Sequence, residues 1–133
     1  MSKANGPQHE RLPRLRTGKT YSLTIDDFDG YLITGEYDNG SLGQIFLYVA
    51  KQGSTLRGVF DALATAVSLG LQHGVPLESY VEKYIDQRFE PYGITGDAEL
   101  DSTTSVVDYI FRRLAIDYLD DDVLARLSIR LTP

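Results

Sequence analysis

From Thr20 onward, apolar and polar residues alternate, with Tyr21, Leu23 and Ile25 set against Ser22 and Thr24. That is the period of a half-buried strand. Asp26-Asp27-Phe28-Asp29-Gly30 predicts a turn in which Gly30 takes a positive φ. A second strand is expected over Tyr31–Tyr37, then a tight reversal at Asp38-Asn39-Gly40-Ser41-Leu42-Gly43, where Asn-Gly suits left-handed backbone. The third strand, Gln44–Ala50, is apolar on both faces and is expected at the centre of the sheet.

At Gly53 the period changes from 2 to 3.6. Ser54 or Thr55 is expected to cap a helix whose stripe is Leu56, Phe60, Leu63, Val67 and Leu71. Gly58, Ala62, Ala66 and Gly70 form a second row of small residues that invites a close partner, so this helix is expected to be buried on two sides. It ends at His73-Gly74, with Pro76 opening a short amphipathic helix to about Arg88. Phe89–Leu100 reads as a loop. Ser102 or Thr103 is expected to cap a third helix on Val107, Ile110, Leu114 and Tyr118, and Asp120-Asp121-Asp122 starts a last one reaching about Arg126. The architecture expected is α+β: a small three-stranded antiparallel sheet followed by three or four helices packed on one face.

Composition narrows the chemistry. One domain is expected from 133 residues, and it needs no staple to hold a core. There is no Cys, which excludes thiolate nucleophiles, Cys-bound zinc and dithiol redox, and which fits a reducing cytoplasm. No apolar run reaches membrane length and no signal peptide is evident, so a soluble protein without a membrane partner is expected. The net charge is −6, unevenly spread. Residues 1–19 carry Lys3, Arg11, Arg14, Arg16 and Lys19 against Glu10, which makes them a flexible basic arm at +4 ahead of a domain (20–133) at −10. So acidic a body argues against nucleic-acid binding.

Several stretches stand together in order: Arg11-Leu12-Pro13 and Gly18-Lys19-Thr20; Gly30-Tyr31-Leu32; Gly53-Ser54-Thr55-Leu56-Arg57-Gly58; Gly74-Val75-Pro76-Leu77; Arg88-Phe89-Glu90-Pro91; Gly93-Ile94-Thr95-Gly96; and Val106-Val107-Asp108-Tyr109-Ile110-Phe111-Arg112-Arg113. From about Arg11 to Leu119 the chain resembles the carboxy-terminal TSCPD-type domain of cobalamin-dependent ribonucleotide reductases. In that family the domain follows a large catalytic barrel and precedes a tail with a redox Cys pair. Here a methionine stands directly before the domain and Pro133 soon after it, so a free-standing version is expected. The Cys of the family motif is replaced by Ser54-Thr55-Leu56-Arg57-Gly58. Without any Cys the thiyl and dithiol steps of ribonucleotide reduction have no carrier, and no enzyme activity is expected.

Two places remain for a ligand. Gly53 and Gly58 have the gap of a phosphate loop, but Val59-Phe60 replace its Lys-Ser/Thr, so triphosphatase chemistry is out. Amides at a helix start, the hydroxyls of Ser54 and Thr55, and Lys51 and Arg57 could still hold a phosphate; the plain alternative is a helix cap. The loop of Arg88, Phe89 and Tyr92 suits stacking on a base beside a phosphate, or else Phe89 and Ile94 anchor it to the core. His9 and His73 do not make a metal site, and neither a metal nor a cofactor is expected. The leading expectation is a non-catalytic module that recognises a nucleotide or phosphorylated small ligand through Lys51, Gly53, Ser54, Thr55, Arg57, Arg88 and Tyr92, or docks on a nucleotide enzyme. The alternatives are a subunit completing a truncated reductase catalytic chain and a phage-type protein that sequesters a nucleotide signal. A homo-oligomer is expected, because the small row and the open sheet edges call for a partner.

Overall fold

The computed structural model describes residues 8–133. Three antiparallel strands, β1 (Thr20–Ile25), β2 (Phe28–Glu36) and β3 (Leu42–Ala50), come first. Helices α1 (Ser54–Gln72) and α2 (Leu77–Tyr84), a two-stranded piece of β4 (Gly93–Ile94) and β5 (Ser102–Thr103), and helices α3 (Val106–Tyr118) and α4 (Asp121–Arg126) follow. This is the expected α+β order.

The strand order is β1-β2-β3, so β2 is central and β3 is an edge. That corrects the expectation for β3, and the reason is visible on its two faces. Ile45, Leu47 and Val49 are buried in the core, whereas Phe46 and Tyr48 stand about half exposed on the outer face beside Tyr31. Their apolar character belongs to an open aromatic surface and not to a second covered face. The first turn also differs from expectation. It is only Asp26-Asp27, with Asp26 at φ 54, and Gly30 lies inside β2. Gly30 is needed there for closeness, since a Cβ on it would lie 2.1 Å from the Tyr48 carbonyl oxygen.

The core forms where Leu23, Ile25 and Leu32 of the sheet meet Phe60 and Val67 of α1 and Ile110, Phe111 and Leu114 of α3. Each fully buried aliphatic contributes roughly 1.5–3 kcal/mol. α2 packs on α3 through Val81 and through the Tyr84 ring, whose centroid is 5.0 Å from that of Phe111. α1 covers β3 with one face only. Gly58, Ala62 and Ala66 are exposed, and among the described residues Gly70 alone of the small row meets a partner, the Tyr80 ring of α2. The expectation of burial on two sides is therefore corrected.

The helix starts sit elsewhere than the hydroxyl pattern suggested. Gly53 is the residue before α1, with no side-chain cap, so Ser54 and Thr55 lie in the first turn. Ser105, not Ser102 or Thr103, caps α3, its Oγ accepting from the Asp108 N–H at 3.0 Å. Gly74 takes the expected left-handed conformation after α1, at φ 94.

Of the segment expected as an arm, residues 1–7 lie outside the described residues. The rest runs along the domain. Glu10 N–H donates to Gln72 O, Thr34 N–H to Lys19 O and Glu36 N–H to Thr17 O, all at 2.8–2.9 Å. Leu12 and the Tyr37 ring close over Gly43.

Candidate functional site

The sequence-predicted residues divide between two clefts. Ser54, Arg57, Gly58 and Asp61 of α1 face Leu47, Tyr48 and Val49 of β3 across a cleft of about 390 Å³. Arg88 and Tyr92 share another, of about 440 Å³, with Phe89, Glu90, Thr103 and Thr104. A cavity of about 280 Å³ lies between these regions, where Gln52 and Leu56 at the start of α1 meet Phe89, Glu90 and Pro91. The helix start and the later loop are therefore neighbours, but Arg57 and Arg88 open on separate clefts. Lys51 is exposed in left-handed backbone at φ 58, and Gly53 and Thr55 are exposed beside it. The first turn of α1 holds no carboxylate, and among the described residues no side chain caps its amides, so the positive end of the helix dipole is left bare there.

Arg88, Arg57 and Lys51 make no ion pair among the described residues, whereas Arg112, Arg113 and Arg126 are all paired. Phe89 and Tyr92 are exposed and Ile94 is 82% exposed, so the loop is not anchored through Ile94. Away from the buried Leu100, its hold on the domain is polar. Thr95 pairs with Ile25 as an isolated bridge, Gly96 N–H donates to Thr24 O, and Phe89 N–H donates to Thr104 O.

Two buried charges hold this loop and its flanks, and the sequence pattern assigns a role to neither. Asp108 is 1% exposed and accepts from Asp86 N–H (2.6 Å), Arg112 Nε (2.8 Å) and Thr103 Oγ1 (2.8 Å). Burial works against its charge, but these donors outweigh burial and hold the carboxyl below its ordinary range. Arg113, 2% exposed, donates to Asp97 at 2.9 Å, Glu99 at 3.1 Å and Asp117 at 3.0 Å, with the Tyr21 ring 4.8 Å away. Asp97 is also held low: burial opposes its charge, and the Tyr109 hydroxyl (2.6 Å) and Arg113 more than compensate. Tyr21, desolvated and hydrogen-bonded to Asp117, is pushed up to about 12. A signal was present in the sequence. Asp108/Arg112 and Arg113/Asp117 are spaced four apart within an otherwise apolar helix.

A consequence for pH follows. Both Asp108 and Asp97 have folded values below the ordinary 3.8. Their contribution to stability is complete above the unfolded value and is lost as pH falls through the folded one. The melting temperature is expected to fall steeply below about pH 4. Asp108→Asn is expected to flatten that fall; an unchanged acid limb in the variant would contradict the assignment.

Asp108 and Arg112 also line a cleft of about 740 Å³ with Arg130 and Thr132 of the carboxy-terminal segment, which no pattern in the sequence announced. The His9 and His73 rings stack, centroids 4.6 Å apart. Among the described residues no group of three or more His, Asp or Glu is placed to hold a metal ion, and no helix is long and apolar enough to cross a membrane.

The family model described as "TSCPD domain" matches residues 7–118. A vitamin B12-dependent ribonucleotide reductase of Streptantibioticus cattleyicolor is 49% identical over 123 residues, which are 92% of this chain and 20% of that protein. The corresponding reductase of Streptomyces coelicolor is 49% identical over 92% of this chain and 13% of its own length. That of Agrobacterium fabrum is 42% identical over 91% of this chain and 10% of its own. The chain thus spans a tenth to a fifth of the length of these relatives. No solved structure matches it.

Proposed function

Because the chain belongs to the TSCPD domain family, we propose that it is a non-catalytic binding module, working in the cytoplasm, which takes a nucleotide or a phosphorylated small ligand. The reductases it resembles act on ribonucleotides by name, and these residues hold no Cys to carry thiol chemistry, so recognition is the part left to them.

One observation carries this reading. Arg88, Tyr92 and Phe89 converge with Thr103 and Thr104 on one cleft of about 440 Å³, within the size range of small-molecule sites. The exposed aromatics offer a stacking surface for a base, and Arg88 offers a charge-assisted contact to a phosphate. Gln52 and Leu56, which flank the bare start of α1 at Gly53 and Thr55, line the adjoining cavity, and the helix dipole with Lys51 favours a second anionic group there, while Ser54 opens on the β3 side. Arg57 opens on the β3 side and takes no part in this arrangement.

Calorimetry against mono-, di- and cyclic nucleotides tests it. A charge-assisted contact contributes about 1.5–3 kcal/mol, so Arg88→Ala is expected to weaken binding roughly tenfold or more while Arg57→Ala leaves it unchanged. Silence from every ligand, or a loss confined to Arg57→Ala, would overturn the placement.

A second reading is a subunit that docks on a reductase chain, supported by the 49% identity extending over 92% of this chain. Co-sedimentation with a reductase lacking its own copy of the domain tests it.

A further inference from the structure

The β3 edge is only half closed. Ser68 of α1 clasps Ile45 from outside, its hydroxyl accepting from the Ile45 N–H at 2.9 Å and donating to the Ile45 carbonyl. Gln72 likewise donates to the Gly43 carbonyl. Because backbone direction alternates along an antiparallel strand, Leu47 and Val49 turn their N–H and C=O the same way as Ile45. Nothing among the described residues takes those four groups. They line the cleft that holds Arg57 and Asp61, two charges one helical turn apart, neither in an ion pair among the described residues.

We propose that this half-edge is the seam of a symmetric dimer, in which β3 of a second copy pairs antiparallel with Leu47 opposite Val49 and Val49 opposite Leu47. The register follows from what is free. The outward position before Leu47 is occupied by Ser68, and the one after Val49 is Lys51, which leaves the strand at φ 58. Four backbone hydrogen bonds close around a two-fold axis at Tyr48, and the two Tyr48 side chains lie side by side on the outer aromatic face. The same axis runs the two α1 helices past each other in opposite directions. Arg57 of each copy then faces Asp61 of the other, and the exposed Gly58 and Ala62 leave room for the approach. A patch carrying one cation and one anion at this spacing is complementary to itself, which is why a second copy is the occupant.

Sedimentation of the wild-type protein at tens of micromolar is expected to give twice the 14.8 kDa of one chain. Asp61→Arg sets like charges across the axis and is expected to weaken the dimer at least tenfold. The swapped pair, Arg57→Asp with Asp61→Arg, is expected to restore it, with circular dichroism confirming the fold of each variant. A wild-type monomer, a dimer indifferent to Asp61→Arg, or a swap that restores nothing would each overturn the seam. The ligand reading is judged separately, on Arg88.

Discussion

Replacing Arg113 by methionine is expected to lower the melting temperature by roughly 10–20 °C. The guanidinium is buried between Asp97 and Asp117, whose side chains are only 13% and 10% exposed, and Glu99 at the rim. A neutral side chain of similar length fills the space but leaves two carboxylates facing each other in a desolvated site. Removing one partner of a buried ionic group costs about 3–5 kcal/mol, a large part of the roughly 5–15 kcal/mol that holds a domain together. Arg113→Lys is expected to recover little of this, because a single ammonium cannot meet Asp97, Glu99 and Asp117 at once as the fork does. Thermal melts of the two variants decide it. A shift under about 3 °C for Arg113→Met would show that the carboxylates tolerate isolation.

Gly30→Ala should be nearly as damaging, for a steric reason. The added methyl would sit 2.1 Å from the Tyr48 carbonyl oxygen and 3.2 Å from its carbon, both main-chain atoms. Backbone cannot rotate away as a side chain can, so β2 and β3 must separate where the sheet carries the core. Overpacking of this kind costs about 3 kcal/mol. Denaturant melts should show a lower midpoint with an unchanged slope. A midpoint equal to wild type would mean that the strands part at no cost.

These two residues show where sequence reading reached and where it stopped. The alternation of Leu23 and Ile25, the stripe of Phe60 and Val67, and the stop at Gly74 are local patterns, and each reappears in place. The position of β3 was not legible, because an apolar outer face looks the same on an edge strand as on a central one until its neighbours are known. Gly30 illustrates the same limit. Its residue type announced a special backbone site, but whether that site was a turn or a close approach depended on Tyr48, eighteen positions on. The caps were misplaced by one to three residues because Ser54, Thr55, Ser102 and Thr103 all have hydroxyls to offer, and only the point where the chain leaves the helix selects among them. In the candidate site, Arg88 and Tyr92 were visible as a loop motif, but their wall of Thr103 and Thr104 comes from the end of β5 and the residue after it, reached through the Thr95 and Phe89 backbone contacts. Of the partners of Arg113, Asp117 was legible from its spacing of four on the same helix, whereas Asp97 and Glu99 come from the preceding loop and no local pattern announces them.

The contacts of residues 10–19 bear on how this domain can be excised from longer relatives. Lys19 and Thr17 supply the acceptors for the Thr34 and Glu36 amides, so they extend the β1–β2 ladder beyond the strand itself. Thr17 also donates to Glu36 at 3.2 Å, and Glu10 ties the chain to the far end of α1. A cut at residue 20 would sever this strap and leave the end of the central strand without one side of its ladder. A piece that keeps this strap therefore begins upstream of the first strand, close to His9, and a fragment trimmed to its regular secondary structure would lose part of what keeps the sheet shut.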